Sequence, residues 1–269
     1  MDINLAQHLK KNSPHIKKVW KHTPAILSLL LAMLGWQLFT QFTDLPAFIL
    51  PSPVDVATRF LRTLTDGSLL RHMGVTLGEV LLGLLLGSAT ATVLGYLIAK
   101  SRLFERLLAP YLVASQAVPV VAIAPLLVIW FGPGIFSKIL ICALIVFFPV
   151  LVNTVVGVRA VPSALRDLMR SLRATKWQVL RHLEIPAALP VFLGGLRIGA
   201  TLSVIGAVVG EFVGADQGLG FLINVGRGQY DTALVFVAIF ALVLLALVLY
   251  GVVAWLENHF LQWQAWRSE

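Results

Sequence analysis

Two uncharged apolar runs, Val80 to Ala99 and Leu107 to Ser137, constrain this chain more than any other feature. A helix needs about 20 apolar residues to cross the hydrocarbon core of a bilayer. Further apolar runs lie at about 24–42, 136–158, 188–213 and 232–256. With the first two read as spans at about 73–99 and 107–131, six spans are expected. The fold class that follows is all-α, a polytopic membrane helical bundle. Charged residues make up only 13% of the 269, about half the usual share, and mean hydropathy is +0.86. The net basic charge does not point to nucleic acid, because the charges lie between apolar runs and form no continuous basic face.

The same charges orient the bundle. Six spans put both termini on one side. With the N terminus inside, fifteen Lys and Arg fall in inner segments and four (Arg59, Arg62, Arg71 and Arg227) in outer loops. That bias predicts an N-in, C-in topology. Residues 1–22 are then a cytoplasmic tail, and 23–269 the transmembrane domain. No Ala-x-Ala-like site follows the first run, so it reads as an uncleaved span rather than a signal peptide.

Glycines mark where helices approach closely. Gly83 and Gly87 form a Gly-x-x-x-Gly pair in the second span, and Gly199 and Gly206 stud the fifth; both faces are expected against other helices. The Leu/Val-rich sixth span reads as a lipid-facing helix at the periphery. Arg197 and Glu211 are ionisable residues in the fifth span, about 21 Å apart along a helix and unable to pair. Arg197 reads as a side chain snorkelling to the surface. Glu211 reads equally as snorkelling outward or as a functional intramembrane charge. The lone Cys142 lies within an apolar run and reads as a small buried hydrophobe. The prolines of Leu50-Pro51-Ser52-Pro53 end any helix there, and Ser52-Pro53 opens a short amphipathic stretch to about Leu64, expected to lie against the bilayer.

The longest polar segment of the second half, Pro162 to Pro190, interrupts the apolar pattern. It carries Arg166, Arg170, Arg173, Lys176 and Arg181 beside a helically spaced apolar stripe of Leu165, Leu168, Leu172, Val179 and Leu183. A basic amphipathic segment between spans has two readings: a topology-setting loop on anionic lipid, or a docking helix for a soluble partner.

The spacing within it resembles the cytoplasmic "EAA" loop of ABC-importer permeases: Glu-Ala-Ala, three residues, Gly, nine residues, Ile-x-Leu-Pro. Asp167, Leu168 and Met169 stand at the first three positions, Arg173 at the glycine, and Leu183-Glu184-Ile185-Pro186 at the end. Arg173 departs from a glycine that permits a turn or close approach, although arginine is a good helix former. The LPSP phrase after the first span, and Gly195-Leu196-Arg197, Glu211 and Gly218-Leu219-Gly220 further on, resemble the nitrate/sulfonate/taurine branch of the family. The resemblance covers about residues 50–260.

That resemblance implies the type I importer permease fold and a role as the translocation pore of an ATP-binding-cassette importer. It implies two cytoplasmic ATP-binding subunits, a periplasmic or lipid-anchored binding protein, and a second permease subunit, identical or homologous. The site would be the bacterial inner membrane. Loop 159–187 would couple to the ATPases through a short helix near Ser171–His182. Candidate contacts are Asp167, Leu168, Met169, Leu172, Arg173, Ala174, Lys176, Trp177, Leu180 and Pro186, with Leu172, Trp177 and Leu180 leading; Asp167 favours the N-terminal part of a helix. Gly83, Gly87, Gly199, Gly206 and Glu211 are the pore and packing candidates. Implied substrates are small anions such as nitrate, sulfonates or taurine, or pyrimidine- or flavin-type vitamin precursors.

No Gly-x-x-x-x-Gly-Lys-Ser/Thr cradle occurs, so no cofactor is expected in this chain; ATP and magnesium belong to the partners. The six histidines are scattered and offer no metal-ligand spacing. No catalytic residues are expected. A secondary transporter would need coupling-ion sites and usually internal repeats; a non-transport scaffold would leave the loop spacing as coincidence.

Overall fold

In the computed structural model the described residues are 23–43 and 45–262; the basic tail and Arg267 lie outside them. Among the described residues all regular structure is helical. The helices are α1 (Thr23–Phe42), α2 (Pro53–Thr65), α3 (Ser68–Lys100), α4 (Arg102–Ala117), α5 (Val120–Phe131), α6 (Ile135–Arg159), α7 (Ser163–Ser171), α8 (Lys176–Val179), α9 (Ile185–Gly214), α10 (Leu219–Gly228) and α11 (Thr232–Phe260), with a π-helical turn at Leu180–Glu184 joining α8 to α9. Four of these stretches are long and apolar enough to cross a membrane: α3, α6, the continuous Lys176–Gly214 run, and α11.

The expected span at 107–131 is not a straight helix. α4 and α5 meet at 97°, and a fifth span exists only if the pair is counted as one. The cause is Pro119: it has no N–H to donate, and its ring drives Val118 into an extended conformation (φ −87°, ψ 118°).

α6 is the centre of the bundle, packed between α3 and α9. Small residues set these approaches. A Cβ on Gly83 would lie 2.2 Å from Cys142 Cβ, and one on Gly87 2.6 Å from the Ala143 carbonyl oxygen. From the other side, a Cβ on Gly206 would lie 2.8 Å from Cys142 Cα, and one on Gly199 3.2 Å from Val146 Cγ1. The buried Cys142 therefore sits where three helices cross.

The last helix is not peripheral on all sides. One face of α11, formed by Val237, Ala238, Ala241, Leu245, Leu249 and Val253, is buried in the main core with residues of α9 and α10; Val243, Leu244, Leu247 and Val248 are exposed on the other. Leu/Val content alone does not separate a lipid face from a core face, because both are apolar. α2 packs on α11. Its start explains the LPSP phrase: Ser52 caps the helix, Pro53 occupies its first turn, and Ser52 and Asp55 form a reciprocal capping box. Arg59 of α2 pairs with Asp231 at 2.8 Å, and Asp231 also caps α11.

Candidate functional site

Two polar centres stand at opposite ends of α3. The first is built around Glu211, which is 1% exposed and does not snorkel. The stretch 214–231, which links the spans expected at about 188–213 and 232–256, contains α10, whose N-terminal amides need acceptors. Three side chains provide them in sequence. The Gly218 N–H donates to His72 Nδ1 at 3.0 Å, the Leu219 N–H to Thr76 Oγ1 at 2.8 Å, and the Gly220 N–H to Glu211 Oε2 at 2.5 Å. The Thr76 hydroxyl donates to Glu211 Oε1 at 2.7 Å. A carboxylate here also meets the positive end of the α10 dipole.

This arrangement gives Gly-Leu-Gly its physical reason. Gly218 has φ +113°, and a Cβ there would fall 2.2 Å from Glu211 Oε1. A Cβ on Gly220 would fall 2.8 Å from Glu211 Oε2. Only bare backbone admits the carboxylate. Beside it, Glu79 and Lys138 form a buried ion pair at 3.7 Å, too long for a hydrogen bond. Lys138 was visible in the sequence only as a charge near a span edge. No periodicity links it to Glu79, 59 positions earlier.

The second centre is the loop between α6 and α9. The expected helix across Ser171–His182 is broken at Leu172–Thr175. α7 ends in a Schellman motif: the Arg173 N–H bonds the Arg170 carbonyl and the Ala174 N–H bonds the Met169 carbonyl, both at 2.9 Å. Arg173 is left-handed, with φ 54°. It thus occupies the backbone state that glycine takes without cost, and its helix propensity is overridden. Thr175 then starts α8 with a capping box to Gln178.

Exposure divides the loop candidates. Leu168, Leu172, Arg173, Lys176 and Trp177 are exposed, whereas Met169, Ala174, Leu180 and Pro186 are half-buried. Leu180 lines a half-open cavity beside Tyr96 and Glu184 and is half-buried, unlike the exposed Leu172 and Trp177. Asp167 is exposed in the second turn of α7, not its first, and pairs with Arg170 at 3.3 Å. Glu184, given no role by the sequence beyond its place in the closing motif, is 1% exposed; its carboxylate takes Lys100 Nζ at 2.5 Å and the Tyr96 hydroxyl at 3.0 Å.

Arg197 is half-buried and paired. Its guanidinium pairs with Glu257 and lies 5.0 Å from the centre of the Tyr250 ring, tying α9 to α11. Among the described residues no cluster of His, Cys, Asp and Glu is arranged to hold a metal.

Comparison with known proteins gives one consistent answer. Residues 71–262 match the family described as "Binding-protein-dependent transport system inner membrane component". The riboflavin transport system permease protein RibX of Chloroflexus aurantiacus is 46% identical, over 94% of this chain and 96% of the relative. The formylaminopyrimidine transport permease protein ThiX of Halalkalibacterium halodurans is 36% identical, over 93% of this chain and 99% of the relative. A chain of the inward-facing MetNI methionine ABC transporter matches in fold, with a TM-score of 0.63 and 19% identity, over 73% of this chain and 97% of that one.

Proposed function

Since the chain belongs to the binding-protein-dependent inner-membrane components and is the permease subunit of an ATP-binding-cassette importer, we propose that it imports a flavin- or pyrimidine-type vitamin precursor. Such a permease works with ATP-binding subunits and a substrate-binding protein. The names of the 46% and 36% identical relatives support this substrate class. A sulfonate is the second reading, supported by a Bacillus subtilis relative named as a putative aliphatic sulfonates transport permease, 33% identical over 85% of this chain.

In this reading two ATPase subunits hold the ATP and magnesium, and two permease subunits, identical or homologous, enclose the pore. Six spans run N-in, C-in: the four long apolar helices, the bent α4–α5 pair taken as one, and α1 as the first. The observation that carries the function is the exposed basic and apolar loop, whose part from Lys176 onward runs without interruption into α9. Leu172 and Trp177, 68% and 65% exposed, are the anchors that fill a groove on each ATPase; Arg173 and Lys176 orient the encounter. ATP-driven closure displaces the loop and rocks α6 and α9 between two rigid packings.

The test is the double variant Leu172→Ala with Trp177→Ala. Truncating an interface anchor costs about 2 kcal/mol or more, so the permease should reach the membrane while its ATPase subunits no longer co-purify. Full ATPase retention and full ATP hydrolysis would place coupling elsewhere.

A further inference from the structure

We propose that the loop drives α3 as well as α9, through a clamp in which Glu184 grips Lys100 and Tyr96; this rests on the importer reading above. The backbone links the loop directly to α6 and α9, but not to α3. Toward the cytoplasmic end of the bundle α3 and α9 do not pack closely. An apolar cavity of about 450 Å³ lies between them, lined by Val93, Tyr96 and Leu97 on one side and Ile185, Leu189 and Phe192 on the other. A push on α9 therefore has no direct apolar contact with α3 there; the other route runs through α6, which meets α9 where Gly157 faces Ala188 and α3 where Gly95 faces Thr154.

Glu184 bridges that gap. It lies at the end of the π turn, where one extra residue re-aims the side chains that follow. The turn brings Glu184 onto the same inward stripe as Ala188 and Gly195 of α9. Its carboxylate is 1% exposed and holds two groups of the last turn of α3, Lys100 Nζ at 2.5 Å and Tyr96 Oη at 3.0 Å. The Lys100 ammonium also lies 5.8 Å from the centre of the Tyr96 ring. A charge-assisted bond to a buried carboxylate is short and directional, so it transmits displacement where an apolar cavity yields. α3 is in turn keyed to α6 through Gly83 and Gly87, so moving α3 moves both walls of the bundle.

The experiment uses the complex with its ATPase subunits in lipid nanodiscs. Single cysteines are placed on α3 (Val93→Cys) and on α9 (Ile198→Cys), both exposed positions, with the native Cys142 fully buried. Maleimide labelling is timed without nucleotide and after trapping with ATP and vanadate. Trapping should change the labelling rate at both sites in the otherwise native chain. With Lys100→Met the change at Val93→Cys should shrink several-fold and that at Ile198→Cys be kept, a split that general destabilisation would not produce. Where Lys100→Met fails to assemble, the isosteric Glu184→Gln should weaken the α3 response in the same selective way. An unchanged α3 response in the variant that assembles overturns the clamp alone. No nucleotide response at either site in the otherwise native chain overturns the loop coupling proposed above and the clamp with it.

Discussion

Glu211 and Arg173 are each defined by the backbone they meet. Glu211→Met leaves the buried Gly220 amide without its acceptor, which costs about 1–3 kcal/mol. Glu211→Gln should be milder. Its carbonyl can face Gly220 and its amide can donate to Thr76 Oγ1, with the Thr76 hydroxyl turning to the His72 carbonyl 3.2 Å away. Thermal unfolding midpoints of the purified permease should fall in the order native, Gln, Met; a Gln variant as unstable as Met would contradict the bonding described. Arg173→Gly should act in the opposite direction. A left-handed non-glycine residue carries about 1–2 kcal/mol of strain, and glycine relieves it at some cost in unfolded-state entropy. Slower amide exchange at Arg173 and Ala174 would show the gain, whereas faster exchange would mean that the Arg173 side chain contributes more than its backbone costs.

Among the elements, α6 tolerates least change, because α3 and α9 press on it from two sides through glycines. Gly206→Leu would drive a side chain into the Cys142 backbone. Leu247→Phe adds volume on the 62% exposed face of α11. Overpacking costs about 1–3 kcal/mol or more where neighbours cannot move. Membrane-assembled protein should drop sharply for Gly206→Leu and stay near native for Leu247→Phe, and equal yields would refute this packing. The glycine spacing was legible in α3 and α9 because close helix approach demands small residues at helical intervals. The break between α4 and α5 was less so: Pro119 was plain in the sequence, but a proline either kinks a helix or ends it, and neighbouring contacts choose.

At the scale of the molecule, the ends of the bundle are sorted by contacts as well as by charge. Lys100 meets Glu184 at the loop end, and His72 meets Gly218 at the opposite end. The 28 residue steps of α3 from His72 to Lys100 separate them by about 42 Å. With the loop end cytoplasmic, cysteines at Lys100 and Arg173 should resist an impermeant maleimide in intact cells, while cysteines at Asp66 and Asp216 should react. External labelling at Arg173→Cys would reverse the orientation.

The sequence by itself determined the helical membrane class, the basic loop between two spans and the importer family. These follow from local quantities: run length, hydropathy, charge placement and motif spacing. It could not determine which charges meet. Glu184 with Lys100, Glu79 with Lys138, Arg197 with Glu257 and Glu211 with the α10 amides are each partnered by an element distant in the chain, or by a helix start hidden in a polar stretch. In an apolar bundle a charge is stable only with a partner, and tertiary packing alone brings those partners within reach.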